Sequence, residues 1–231
     1  MIWAERIIVA LDLESRKAAE EALKKLPAVR FVKVGMELFY STGPELIHVL
    51  KDRGLKVFLD LKVHDIPNTA AGAMRSLSRA GCDLINLHCA GGLEMMKRAR
   101  EAVGEDTRLI GVTQLTSTNQ QMLNGELGIP GTVEESVLNY AQLAKDANLA
   151  GVVCSPLEVK AIKGLCGTEF LTVTPGVRPR GSAIQDQKRT MTPGEAIRAG
   201  SDYLVIGRPI LSSPDPNGAF LAIVEEIEVG V

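Results

Sequence analysis

The sequence predicts an α/β fold, a (β/α)8 TIM barrel built as one domain over residues 1–231. Strand and helix signals alternate from end to end, eight of each, and 231 residues suit such a barrel as a single unit. The strands read as nearly unbroken apolar runs, such as Ile7-Ile8-Val9-Ala10-Leu11 and Tyr203-Leu204-Val205-Ile206, as parallel strands covered on both faces do. Polar and charged residues recur where those runs end, which is where barrels of this kind hold their chemistry. A doubly wound open sheet is the alternative; it would have fewer strands and an early glycine-rich nucleotide loop, absent here.

Strand one is Ile7–Leu11, and the amphipathic helix Arg16–Leu26 stops at Pro27, whose ring cannot continue it. Strand two, Phe31–Val34, leads to a helix over Pro44–Arg53, with Pro44 in its first turn and Gly54 just past its end. Strand three, Lys56–Lys62, alternates with period two. Asn68–Ala80 is then a helix ended by Gly81. Strand four, Leu84–Leu87, precedes a helix over Leu93–Val103 ended by Gly104. Strand five, Arg108–Val112, runs into a long polar stretch, Thr116–Thr132, ahead of a helix over Val133–Asn148. Strand six is Gly151–Val153, followed by a helix over Leu157–Ile162 with Gly164 beyond it. Strand seven, Phe170–Thr174, a second long loop and a helix over Pro193–Ala199 come next. Strand eight, Tyr203–Ile206, and the helix Ala219–Ile227 close the series.

Composition narrows the function classes. Apolar residues make up 45% and charged residues 23%, as in a soluble globular core, and the net charge of -2 comes without any basic or acidic block. Nucleic acid and anionic membrane are therefore disfavoured as partners. The start, Met1-Ile2-Trp3-Ala4-Glu5-Arg6, runs straight into a strand without a signal-peptide pattern, and no apolar run is of spanning length. Cys82, Cys89, Cys154 and Cys166 form no C-x-x-C pair, and His48, His64 and His88 lack metal-ligand spacing. A cytoplasmic protein without a bound metal is expected.

Strand three holds the densest chemistry. Val57, Leu59, Leu61 and Val63 point one way, and Phe58, Asp60, Lys62 and His64 the other. Charges on a strand buried on both faces belong at its carboxyl end, so Asp60 and Lys62, with Asp65 beyond, read as a reaction centre. Two blander readings stay open: Asp65 before Ile66-Pro67 would equally cap the next helix, and Asp60 with Lys62 would equally form a structural ion pair. Other strand ends agree with a site. Asp12 follows strand one, Lys33 lies within the end of strand two, His88 follows strand four and Thr116-Ser117 follow strand five. Arg178 follows strand seven and Gly207-Arg208 strand eight, the usual phosphate corner of the barrel. Glycine lets backbone amides approach an anion, and arginine offers a planar fork to phosphate oxygens. The polar loop Arg178–Thr190 beside that corner reads as a lid.

These residues name a family. Asp60-Leu61-Lys62-Val63-His64-Asp65-Ile66-Pro67-Asn68-Thr69 resembles the D-x-K-x-x-D signature of orotidine 5′-monophosphate decarboxylases, with their Ile-Pro-Asn-Thr continuation. Leu115-Thr116-Ser117, Thr174-Pro175-Gly176-Val177-Arg178-Pro179 and Ile206-Gly207-Arg208-Pro209 are similar to the family's later motifs, in order. The resemblance implies conversion of orotidine 5′-monophosphate to uridine 5′-monophosphate, the last step of pyrimidine nucleotide synthesis, without a cofactor or metal. It implies that Lys62 protonates C6 of the pyrimidine, that Asp60 lies beside the departing carboxylate, and that Lys33 bridges the carboxylates and a ribose hydroxyl. Asp12 would hold the ribose, Ser117 the pyrimidine edge, and Thr116 would line the site. Gly207 and Arg208 would take the phosphate with Gln187 from the lid and Arg178 in support. Asp65, Ile66 and Thr69 would complete the site of a neighbouring subunit, which implies a homodimer. Two other functions remain open at this point: a magnesium-dependent sugar-phosphate decarboxylase or aldolase on the same barrel, and a non-catalytic nucleotide-binding protein. No role for His64 or His88 follows from the sequence.

Overall fold

In a computed structural model, residues 3–179 and 191–230 are described. Eight parallel strands close on themselves in sequence order, β1 pairing with β2 and so on until β8 returns to β1. They are β1 Ile7–Leu11, β2 Phe31–Gly35, β3 Lys56–Val63, β4 Leu84–His88, β5 Arg108–Val112, β6 Gly151–Val153, β7 Leu171–Pro175 and β8 Tyr203–Ile206. The helices are α1 Arg16–Lys24, α2 Met36–Thr42, α3 Glu45–Asp52, α4 Pro67–Arg79, α5 Gly92–Glu101, α6 Val133–Asp146, α7 Val159–Cys166, α8 Pro193–Arg198, α9 Arg208–Leu211 and α10 Pro216–Gly230. The expected (β/α)8 barrel is the observed one. Among the described residues no helix is long and apolar enough to cross a membrane.

Period-two alternation splits the core in two. Ile8, Ala10, Phe31, Phe58, Leu84, Ile110, Val173 and Val205 fill the barrel interior. Their neighbours on the same strands, such as Val9, Val32, Val57 and Ile85, face outward and pack under the helices. Phe58 inside and Val57 outside settle the facing of β3, and they aim Asp60 into the barrel mouth.

Two carboxylates brace the opposite end. Asp83, just before β4, accepts from the Val57 amide at 2.7 Å and from Lys51 Nζ at 2.6 Å. Asp202, just before β8, accepts from the Thr172 amide at 2.7 Å and from Lys163 Nζ at 2.7 Å. Each ties the start of one strand to its predecessor, four strands apart, and each follows an Ala-Gly pair whose glycine has a positive φ, +83° at Gly81 and +105° at Gly200. Charge-assisted bonds of this kind stay away from the mouth, so they stiffen the frame on which the site stands.

The helices differ from the sequence expectation in several places, and three concern whole helices or their ends beside the strands. The segment between β2 and β3 holds two helices, because α2 buries only Leu38 and ends at Gly43 with φ +72°; such a short, weakly periodic helix leaves little pattern. The helix before β7 passes through Gly164 and ends at Gly167, whose φ of +94° ends the turn. Cys166, 6% exposed, gives that last turn a side chain to bury. A short helix, α9, also follows β8, with Pro209 in its first turn.

Candidate active site

The carboxyl ends of the strands enclose a cavity of about 360 Å³ lined by residues from most of the barrel, among them Asp12, Lys33, Asp60, Lys62, Ser117 and Arg208. Phe58, two residues before Asp60 on the inner face of β3, lines it together with Ala10 and Val205 of the barrel interior. The sequence-predicted residues Thr116, Arg178 and Gly207 line it as well.

An alternating row of charges crosses the mouth. Asp12 accepts from Lys33 Nζ at 2.9 Å, Lys33 Nζ lies 3.4 Å from Asp60 Oδ2, and Lys62 Nζ lies 2.7 Å from Asp60 Oδ1. Asp60 and Lys33 are nearly enclosed, with side chains 12% and 10% exposed, whereas Asp12 is open to solvent. Burial by itself would lower the Lys33 pKa; the charges of Asp60 and Asp12 outweigh it and hold the ammonium above its ordinary range. Burial likewise works against an ionised Asp60, and the charges of Lys33 and Lys62, with hydrogen bonds from Lys62 and Asn86, hold its carboxyl below the usual range. The enclosed Lys33–Asp60 pair, with Lys62 bonded to its carboxylate, is thus in place before any substrate arrives, the condition for electrostatic catalysis without reorganisation.

Stability should follow from this. A carboxyl held below its unfolded value, about 3.9, stabilises the fold above that pH and loses its contribution as pH falls through the folded value. Wild-type protein should lose urea resistance on acidification below about pH 4. In Asp60→Asn that acid slope should be shallower by up to about one proton equivalent. Parallel curves for the two proteins would mean that Asp60 is not held ionised.

Room for the row comes from glycine. A Cβ on Gly35, at the end of β2, would lie 2.9 Å from Lys33 Nζ and 3.2 Å from Asp12 Oδ1. A Cβ on Gly207 would lie 3.2 Å from that of Ala10, so glycine there lets the backbone after β8 draw in beside β1. Arg208 is exposed at the same corner, and Arg178 is half-buried. The Arg178 amide donates to the Met191 carbonyl at 2.9 Å, which ties together the two ends of the predicted lid. Gln187 and the rest of 180–190 lie outside the described residues.

Not every predicted residue joins the row. Asp65, Ile66 and Thr69 are exposed, Ile66 to 67%. The Asp65 carboxylate accepts the Ile66 amide at 2.7 Å. Among the described residues no ion pair holds Asp65, so within one chain Lys62 is clasped by Asp60 alone. The helix-entry reading of Asp65 is met only in part: its carboxylate accepts the amide of Ile66, the residue just before α4, while Ile66 itself offers no side-chain cap.

Lys62 has a φ of +51°, a left-handed conformation that costs a non-glycine residue about 1–2 kcal/mol. His88 ends β4, with its ring centroid 5.7 Å from that of His64. Burial, then the charges of His64 and Lys62, lower its pKa against the pull of Asp60. The residues that sequence reasoning missed are Asn86, Gly35 and Gln114. Asn86 is wholly buried on β4 and bonds both Asp60 and Lys62; its signal was an amide inside the apolar run Leu84-Ile85-Asn86-Leu87. Gln114 lines the cavity and donates to Ser136 Oγ at 3.0 Å.

Comparison with known proteins identifies the family. Residues 5–223 match the family described as "Orotidine 5'-phosphate decarboxylase / HUMPS family". The chain is 51% identical over 221 residues to an orotidine 5'-phosphate decarboxylase of Staphylococcus saprophyticus, covering 94% of this chain and 96% of that protein. It is 50% identical over 223 residues to one of Streptococcus pneumoniae serotype 19F, covering 96% of each. The crystal structure of the orotidine 5'-phosphate decarboxylase of Lactobacillus acidophilus superposes with a TM-score of 0.86 at 39% identity, over 96% of this chain and 99% of that one. With likeness in sequence and in fold running through nearly its whole length, this chain belongs to the orotidine 5'-phosphate decarboxylase / HUMPS family.

Proposed function

We propose that this chain works as one domain that decarboxylates orotidine 5′-monophosphate to uridine 5′-monophosphate, with no cofactor, and that Lys62 stabilises and protonates the reacting carbon. The observation that carries the reading is the Asp12–Lys33–Asp60–Lys62 row at the strand ends, in a chain about half identical to named decarboxylases. The C6–carboxylate bond breaks heterolytically, carbon dioxide leaves, and the electron pair stays in an sp² orbital on C6 that the ring delocalises poorly. The Lys62 ammonium faces that charge as it develops and then gives C6 a proton, which Lys62 regains from water. An arginine would hold the charge but not readily release the proton.

The remaining roles follow the layout. Asp60 orients Lys62 and Lys33 beside the substrate carboxylate. Lys33 and Asp12 take ribose hydroxyls, Ser117 and Thr116 the pyrimidine, and Arg208, the Gly207 backbone, Arg178 and Gln187 the phosphate. Asp65, Ile66 and Thr69 project from their own chain; the exposure of Ile66 and the outward carboxylate of Asp65 support a homodimer in which they complete the partner's site. Four buried thiols suit a reducing cytoplasm.

Protein dialysed against a chelator should consume orotidine 5′-monophosphate, followed as loss of orotate-ring absorbance, at a rate within about twofold of untreated protein. Activity lost on chelation and restored by magnesium would replace this reading with the metal-dependent one. Tight binding of uridine 5′-monophosphate with no turnover would replace it with a binding protein.

A further inference from the structure

β3 and β4 part company at the mouth. Leu59 pairs with Ile85 and Val63 with Leu87, so Asp60, Leu61 and Lys62 on β3 stand against the single residue Asn86 on β4. Extra residues on one strand leave backbone groups without ladder partners. The Lys62 amide is one of them, and it donates to Asn86 Oδ1 at 2.8 Å. Asn86 Nδ2 donates at 2.7 Å to Asp60 Oδ1, the same oxygen that receives Lys62 Nζ at 2.7 Å. Asn86 itself is 0% exposed, so water does not compete for either bond.

This pairing needs a primary amide. The Lys62 N–H requires an acceptor and the Asp60 carboxylate a donor, and a carboxamide presents the two on separate atoms, where a hydroxyl has only one oxygen for both. Aspartate would keep the acceptor and set a second carboxylate against Asp60. Leucine, of similar size, would bond neither.

We propose that Asn86 is a positioning residue: its amide clamps the left-handed backbone of Lys62 and the carboxylate of Asp60 as one unit, and so fixes where the Lys62 ammonium points. The proposal rests on the reading of Lys62 as the proton donor. Because Asn86 lies behind the charged row, it governs turnover and leaves nucleotide affinity alone. A misplacement of the reacting group by about 1 Å costs on the order of a hundredfold in rate.

Asn86→Leu and the nearly isosteric Asn86→Asp test this beside wild type. Each should lower kcat by about a hundredfold. The Kd for uridine 5′-monophosphate should stay within about threefold, with one nucleotide bound per protomer, and a crystal structure of either variant should show Lys62 displaced. A role confined to folding predicts otherwise: a lower melting temperature and fewer binding sites, with kcat per binding site unchanged. That result, or Lys62 unmoved, would overturn the proposal. Should neither variant fold, amide hydrogen exchange in the wild type decides: a protected Lys62 N–H is expected, and exchange at the rate of a free amide would overturn it. Wild type without turnover would sink the decarboxylase reading instead, and the Lys62 geometry and exchange would still judge the clamp.

Discussion

Lys62→Ala should lower kcat/KM for orotidine 5′-monophosphate by at least about 10⁴-fold. Two losses combine. A cation about 4 Å from a developing negative charge attracts it by roughly 4 kcal/mol at an effective dielectric of about 20, close to a thousandfold in rate if felt only in the transition state. A positioned general acid contributes about 10²–10⁴-fold more. The rest of the site should survive the substitution: Asp60 has Lys33 at 3.4 Å and Asn86 at 2.7 Å, and the proposed phosphate corner at Gly207 and Arg208 is on the other side of the β8–β1 seam. Uridine 5′-monophosphate should therefore still bind in a calorimetric titration, within about tenfold of wild type. Lys62→Arg separates the two contributions, since a guanidinium keeps the charge and holds its proton. Turnover of Lys62→Ala within tenfold of wild type would remove this lysine from the chemistry.

The barrel was legible because its strands are buried on both faces, so each writes itself as an apolar run whatever its neighbours do. A charge inside such a run has few tolerable places, and that is why Asp60, Lys62 and Lys33 stood out. Asn86 obeyed the same logic but bears no charge, and one amide in a strand does not announce which carboxylate it serves. The left-handed turn at Lys62 left no trace, because lysine has no local preference for that conformation. In the fold the amide displaced there is accepted by Asn86, 24 residues later. Asp65 shows the other limit. Spacing along a strand places Asp60 beside Lys62, but Asp65 lies past the strand's end at Val63, where the chain turns toward α4 and carries the carboxylate outward. Short helices such as α2 and α9 also escaped, since fewer than two turns give no period to read.

The outward position of Asp65 leads to the second large effect, restoration of activity by mixing two dead proteins. Lys62→Ala should be inactive for want of the proposed proton donor, and Asp65→Asn should be inactive because it deprives the partner's lysine of a second carboxylate. In a two-fold dimer each site would take Lys62 from one protomer and Asp65 from the other. A mixed dimer of the two variants then holds one doubly defective site and one that is fully wild type. Unfolding equal amounts together and refolding them should pair half of the protomers as mixed dimers, and turnover should rise to about a quarter of the wild-type value per protomer. Lys62→Ala mixed with Asp60→Asn is the control. These two residues touch at 2.7 Å within one chain, so every site in that mixture keeps a defect and no activity should return. Recovery in the first mixture alone places Asp65 across the interface; silence in both confines each site to its own chain.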